Sequence, residues 1–170
     1  MPRTLADGRT RLIALTTAPA DPAAITETEL AGGTRLDNRI LKSDFRLSPS
    51  DSETITEALL SEESAGAALG PALFDGCTMS VFRFLDETGA ADPAEDVAFD
   101  LVKERGTHLH LVKSDGKEAS AAFASGDEYS YFHVVTDHPQ DPEERGGYIK
   151  KRVPLLVQSA ELFQSVAAGV

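Results

Sequence analysis

Residues 125–139 read SGDEYSYFHVVTDHP, and the centre of this stretch decides the kind of fold. From 129 to 136, Tyr129, Tyr131, His133 and Val135 alternate with Ser130, Phe132, Val134 and Thr136. Aromatic and β-branched residues in period two, bounded by Gly126-Asp127 and by a loop beginning at Asp137, predict a strand. The loop carries Pro139, Pro142 and Gly146-Gly147. Beyond it, 148–158 places Ile149, Val153, Leu155 and Val157 on one face, and a second strand is expected from Ala160 to about Ala167. Upstream, Arg9–Thr17, Thr78–Leu85 and Thr107–Lys113 carry the same signature, with weaker strand signals at 44–48 and 52–60. The regular structure is therefore predicted to be mainly β.

Two short helices interrupt the strands. Asp92 at the N-cap, Pro93 at the first helical position and Glu95 three residues after the cap predict a capping-box start. Val97, Ala98, Leu101 and Val102 form the apolar stripe, Lys103 and Arg105 complement the dipole, and Gly106 closes the helix. The other helix runs from about Thr26 to Ala31, capped by Thr26 with Glu29 and stopped by Gly32-Gly33. Residues 60–75, LSEESAGAALGPALFD, lack periodicity and end apolar, which predicts a long loop or arm inside a single domain spanning 1–170. Leu69, Leu73 and Phe74 on it need burial, either on their own core or on a neighbouring subunit.

Composition narrows the functions. The chain has 170 residues, 41% of them hydrophobic, and a formal net charge of −12. Its apolar runs fall well short of the roughly 20 residues of a spanning helix, and MPRTLADGRTR has no apolar signal region. These features lead us to expect an intracellular chain, or one assembled inside a cell, with no membrane partner. One cysteine, Cys77, allows no intrachain disulfide and is expected to be a small buried hydrophobe. Between Phe45 and Asp100, Arg46 and Arg83 are the only bases against twelve acids. Such a surface repels nucleic acid, because sites that hold DNA are basic.

The order of elements resembles the siphophage major tail tube proteins. The resemblance is carried by LADGRTRLIAL, the capped helix ending AGGTRLDNRIL, the polar strand in SPSDSETITEALL, the helix ending ERG, SGDEYSYFHVVTDHP, and GGYIKKRVPLLVQSAELFQSVA. It implies two packed antiparallel sheets, a sandwich or barrel of the tail-tube type, flanked by a helix. It further implies hexameric rings stacked into a hollow tube through which double-stranded DNA passes transiently and without specificity. The partners would be tape measure, terminator and distal tail proteins. The place would be the virion tail, after assembly in the host cytoplasm, with no cofactor, no metal and no catalysis.

Two surfaces gain meaning from that resemblance. In 51–58, period two puts Asp51, Glu53 and Glu57 on one face with Ile55, and Ser52, Thr54, Thr56 and Ala58 on the other. In a monomer this is an exposed edge guarded by charge. In a ring the edge can pair with the next subunit, and Asp51, Glu53 and Glu57 then line the lumen. Lys150, Lys151 and Arg152 either meet the acidic patch of a neighbouring subunit or form an ordinary exposed strand face.

Other functions leave weaker traces. His108 and His110, two apart on one strand, could join His133 as a zinc site, but no HExxH, GxSxG, GxxxxGK[ST] or GxGxxG motif supports an enzyme. Aromatics at 6%, with no tryptophan, offer little stacking surface for single strands. Asp137, Asp141, Glu143 and Glu144 miss the EF-hand spacing and read as a solvated acidic loop. The remaining alternatives are a tail-terminator or connector, a secretion-type tube protein, and a monomeric β-sandwich binding module.

Overall fold

The computed structural model describes residues 5–58, 60, 66–143 and 145–169. It is mainly β, with 40% strand and two short helices. Strands β1 (Thr10–Leu15), β2 (Thr34–Arg35), β5 (Thr78–Phe82), β6 (His108–Asp115), β7 (Glu128–Thr136) and β8 (Lys150–Ser165) form one curled antiparallel sheet in the order β2-β1-β6-β7-β8-β5. Strands β3 (Thr54–Glu57) and β4 (Gly66–Leu69) form a separate two-stranded ribbon. Helix α1 spans Glu27–Ala31 and α2 spans Val97–Val102.

The strand β8 explains the curl. Its first residues pair with β5, from Phe82 opposite Lys150 to Thr78 opposite Pro154. Its later residues pair with β7, from Thr136 opposite Leu155 to Glu128 opposite Ser165. The two strands expected at 148–158 and 160–167 are thus one. Inward-facing apolar residues change parity along it, from Val153, Leu155 and Val157 to Ala160 and Leu162, all packed in one core cluster. A register shift between His133 and Val134 of β7 places an extra β8 residue, Gln158, at that change. A bulge restores the phase without ending the strand and adds twist. A second shift, between Tyr129 and Tyr131, coincides with Phe163 at φ 56°. Ile149, expected on the inner face, precedes the strand and is 58% exposed.

β1 is buried from Arg11 to Leu15 because both of its faces are covered. Leu12 and Ala14 join Leu109, Leu111, Phe132, Val134, Met79 and Val81 in the main core, closed by Ala98 and Val102 of α2. Ile13 and Leu15 face a second cluster with Ile25, Leu30, Val112, Tyr129 and Tyr131 beneath α1. The Tyr129 hydroxyl fastens the lead into α1, donating to Pro22 O (2.9 Å) and accepting from Ile25 N–H (3.0 Å).

The start of α1 is as expected: Thr26 accepts from Glu29 N–H and Glu29 reaches back to Thr26 N–H. Hydrogen bonds from the Ala20 and Thr26 N–H groups hold the Glu29 carboxyl below its ordinary pKa. The capping box at α2 does not form. Asp92 N–H is taken by Phe84 O, and the Glu95 carboxylate pairs with Arg39 instead (3.0 Å). Asp92 still receives Ala94 N–H, but 93–96 are turns and the helix begins only at Val97. The tertiary partner of Glu95 thus displaces its local one.

The weak strand signal at 44–48 resolves into a 3₁₀ turn, Lys42–Asp44, and single bridges to β5 from Ile40 and Arg46. Within the stretch expected to be irregular at 60–75 lies β4. Residues 59 and 61–65 of these segments lie outside the described residues, as does Glu144 of the acidic loop.

Candidate functional site

The β3–β4 ribbon is the most exposed regular element. Thr54 pairs with Leu69, Ile55 with Ala68, Thr56 with Ala67 and Glu57 with Gly66, and all eight residues are exposed. Ile55 (48%) and Leu69 (82%) are therefore apolar side chains that the subunit leaves uncovered on opposite faces. The ribbon is anchored at its base. Gly70 N–H donates to Glu53 O at 2.6 Å, and a side chain at Gly70 would put its Cβ 2.9 Å from that oxygen. Ser50 N–H bonds Leu73 O, and Ser50 Oγ receives Asp75 N–H.

Asp51 and Glu53 lie just before β3 and Glu57 at its end, all three exposed. They occupy the ribbon rather than the six-stranded sheet. Leu69 ends the ribbon in solvent, whereas Leu73 and Phe74 are half-buried. Phe74 meets Phe132 edge-on at 6.3 Å, so it packs against its own core. Leu73 and Phe74 also line a groove of about 520 Å³ together with Arg152, Pro154, Leu156 and Gln158. The structure thus gathers three of the candidate contact residues at one place beside β8.

The basic triplet divides. On a strand, Lys151 points to the face opposite Lys150 and Arg152. Lys151 pairs with Asp141, whose carboxyl is held below its ordinary pKa by that hydrogen bond and charge. Lys150 Nζ reaches Gly146 O (3.4 Å), and Arg152 Nε lies 3.7 Å from Asp44 Oδ2.

Much of the acidic excess is used inside the subunit. Asp96, 4% exposed, holds Arg83 (2.9 Å) and accepts Phe84 N–H (3.0 Å). Asp100 pairs with Lys103, and Glu95 with Arg39. In the acidic loop Asp137 meets Arg105 and Asp141 meets Lys151, so both carboxylates are engaged with cations.

One feature was not anticipated by reading strands singly. The β5 pairing stops at Pro154, so beyond it, among the described residues, β8 has β7 on one side only. Along this edge Leu156 (54%) and Phe163 (74%) are exposed. Gln158 and Gln164 fold back onto the Leu156 and Leu162 carbonyls. The signal available in the sequence was a long run, 150–165, with no Gly, Asn or Asp and more length than one partner strand can cover.

The three histidines do meet. His108 Nδ1 faces His133 Nε2 at 3.0 Å, His110 stacks on His133 with ring centroids 4.7 Å apart, and His110 Nδ1 bonds the Tyr131 hydroxyl at 2.7 Å. Among the described residues no group of three or more His, Cys, Asp or Glu is arranged to hold a metal. The facing nitrogens of His108 and His133 approach each other, and that of His110 approaches Tyr131. Cys77 is buried, with Sγ 3.5 Å from Ser48 O.

The architecture is that of a mainly β protein whose uncommitted features are a ribbon and a sheet edge. The family described as phage tail tube protein matches residues 1–170, and the chain belongs to that family. It is accordingly a structural component of the virion tail that assembles with other tail proteins into a multi-subunit tube. No curated protein matches the chain. Among the described residues no helix is long and apolar enough to cross a membrane.

Proposed function

We propose that this chain is the major tail tube subunit, a single tail-tube domain that polymerises as stacked hexameric rings into a hollow tube conducting phage DNA into the host. The observation that carries the reading is the β3–β4 ribbon, all eight of whose residues are exposed. A two-stranded ribbon is marginal in water by itself. Its exposed Ile55 and Leu69 gain burial once it lies against a neighbouring copy. The β8 edge beyond Pro154 is the corresponding place for a neighbour's strand, which would satisfy its open backbone groups. Leu73, Phe74 and Arg152 border that edge, while Lys150 and Lys151 extend the contact toward the acidic surface of the next subunit.

Asp51, Glu53 and Glu57 line the lumen in this proposal, which requires the ribbon to run along the inner wall. Carboxylates there repel phosphates and make none of the Lys or Arg contacts that would hold a sliding duplex. At physiological salt the field decays over about 8 Å, so it acts at the wall and leaves the channel open. The tube needs no cofactor and performs no catalysis. Its neighbours are the tape measure, terminator and distal tail proteins, and assembly takes place in the host cytoplasm.

Negative-stain microscopy of purified protein tests this. The parent should form long tubes, and Leu69→Asp, or charge reversal of Lys150, Lys151 and Arg152, should leave folded single subunits by circular dichroism. Isolated rings from the parent would favour a terminator. Discrete parent monomers at high concentration, or ordinary tubes from the variants, would refute the assembly contacts.

A further inference from the structure

The histidine cluster has no part in the assembly reading. His108 and His110, two residues apart on β6, share a face, and His133 of β7 lies directly opposite His110. The three rings form a stack and a contact: His110 on His133 at 4.7 Å, His108 beside His133 at 5.2 Å, and a nitrogen–nitrogen approach of 3.0 Å between His108 and His133. His110 is 9% exposed, the other two more so.

The groups around the cluster do little to neutralise added charge. β7 contributes the Tyr131 hydroxyl to His110. β8 places Ser159 opposite His133 and Glu161 opposite Tyr131, two pairs further along. β1 places Leu15 opposite His110, and β7 places Val135 opposite His108. Glu29 of α1, beyond Leu15, is bonded to Thr26 and to Ala20 N–H.

A nitrogen–nitrogen hydrogen bond needs one N–H and one lone pair. The neutral His108–His133 pair supplies both, and so does the pair carrying one extra proton. With two extra protons, N–H faces N–H and two cations stand at contact. Behind them, burial first and then the charges of His133 and His108 keep the His110 pKa below its ordinary value.

We propose that His108, His110 and His133 form a proton-operated latch across β6 and β7, closed while the His108–His133 contact keeps one N–H and one lone pair and broken when both of its facing nitrogens carry protons. His133 marks the register shift at which β8 bulges, so breaking the latch loosens the sheet beside the open β8 edge. The sign follows from His110. In the unfolded chain it titrates near pH 6.5, about the unperturbed value. The folded state binds fewer protons below that pH, so stability is full above it and is lost as pH falls from that value through the lowered folded one.

The test uses the full chain and does not depend on tube formation. Histidine ring protons are followed by NMR, and melting temperature by circular dichroism, from pH 7.5 to 5.0. In the parent, His110 should titrate below its ordinary range, the three curves should be coupled, and the melting temperature should fall steeply. His133→Gln removes the central ring and should at least halve that fall. If His133→Gln folds poorly, His108→Gln serves, because it removes the nitrogen contact and leaves the stack. Three independent curves near 6.5 in the parent, or equal pH slopes in parent and variant, overturn the latch. A rise in melting temperature on adding zinc at pH 7.5, reversed by chelation, would make the cluster a metal clip and overturn it equally.

Discussion

Replacing Asp127 by Asn should destabilise the subunit far more than so conservative a change does at a surface. Arg11 of β1 is 3% exposed. Its Nη1 donates to Asp127 Oδ2 (3.0 Å) and Ala122 O (2.9 Å), its Nη2 donates to Ser114 Oγ (2.8 Å), and the guanidinium lies 4.1 Å from the Phe123 ring centroid. Asp127 also accepts from Lys117 (2.6 Å) and from Ala124 N–H (3.1 Å). Burial pushes its carboxyl up, but the hydrogen bonds from Lys117, Ala124 and Arg11, with the Arg11 charge, outweigh burial and leave its pKa below the ordinary value. The Asn variant keeps the shape and strands a buried cation, which costs about 3–5 kcal/mol. For a chain of this size that is a fall of roughly 6–20 °C in melting temperature.

Urea titration at a concentration where the subunit is monomeric measures the loss. Adding Arg11→Met to Asp127→Asn removes the stranded charge and should restore most of the stability, a non-additivity that a double-mutant cycle reads directly. The lowered Asp127 pKa has its own signature. Its stabilisation is present above the unfolded value of about 3.9 and is lost as pH falls through the folded one. The Asn variant should lack that component. A loss below about 1 kcal/mol, within the range of an exposed ion pair, or a double variant no better than the single, would refute the account.

Two further substitutions probe how the outer face is built. A Cβ at Gly33 would overlap Ile13 Cγ2 and come within 2.7 Å of Leu15 Cδ2 and 3.2 Å of Ala14 O, so Gly33→Ala should cost about 1–3 kcal/mol in denaturant unfolding. Thr26→Ala removes the cap of α1 and should cost about 1 kcal/mol, visible as earlier melting with the sheet signal otherwise unchanged.

Elements set by local periodicity were legible, and those set by a distant partner were not. The run 129–136 is β7 almost to the residue, because alternation with a covered face on each side leaves one conformation. The Thr26–Glu29 box formed as written, since both partners lie within one helical turn. The Asp92–Glu95 box has the same local pattern and failed, because Arg39, 56 residues away in sequence, supplies a better partner for Glu95. The parity change in β8 was visible as two strands, but only pairing with β7 showed that a bulge joins them. For the candidate site, exposure of Asp51, Glu53, Glu57 and Leu69 agrees with the polar, Ala- and Gly-rich composition around them. The division of Lys151 from Arg152, and the groove uniting Arg152 with Leu73 and Phe74, depend on strands far apart in sequence.

The sequence by itself determined the mainly β class, the helix at Thr26–Ala31, the buried cysteine and the acidic net charge. These follow from propensity, short-range hydrogen bonding and net charge, which act within a few residues or over the whole chain at once. Tertiary structure alone decided that β8 spans two partners, that Thr54–Glu57 and Gly66–Leu69 pair as an exposed ribbon, and that three histidines on two strands touch. Each is a matter of register, and register is fixed only when strands far apart in the chain compete for the same core.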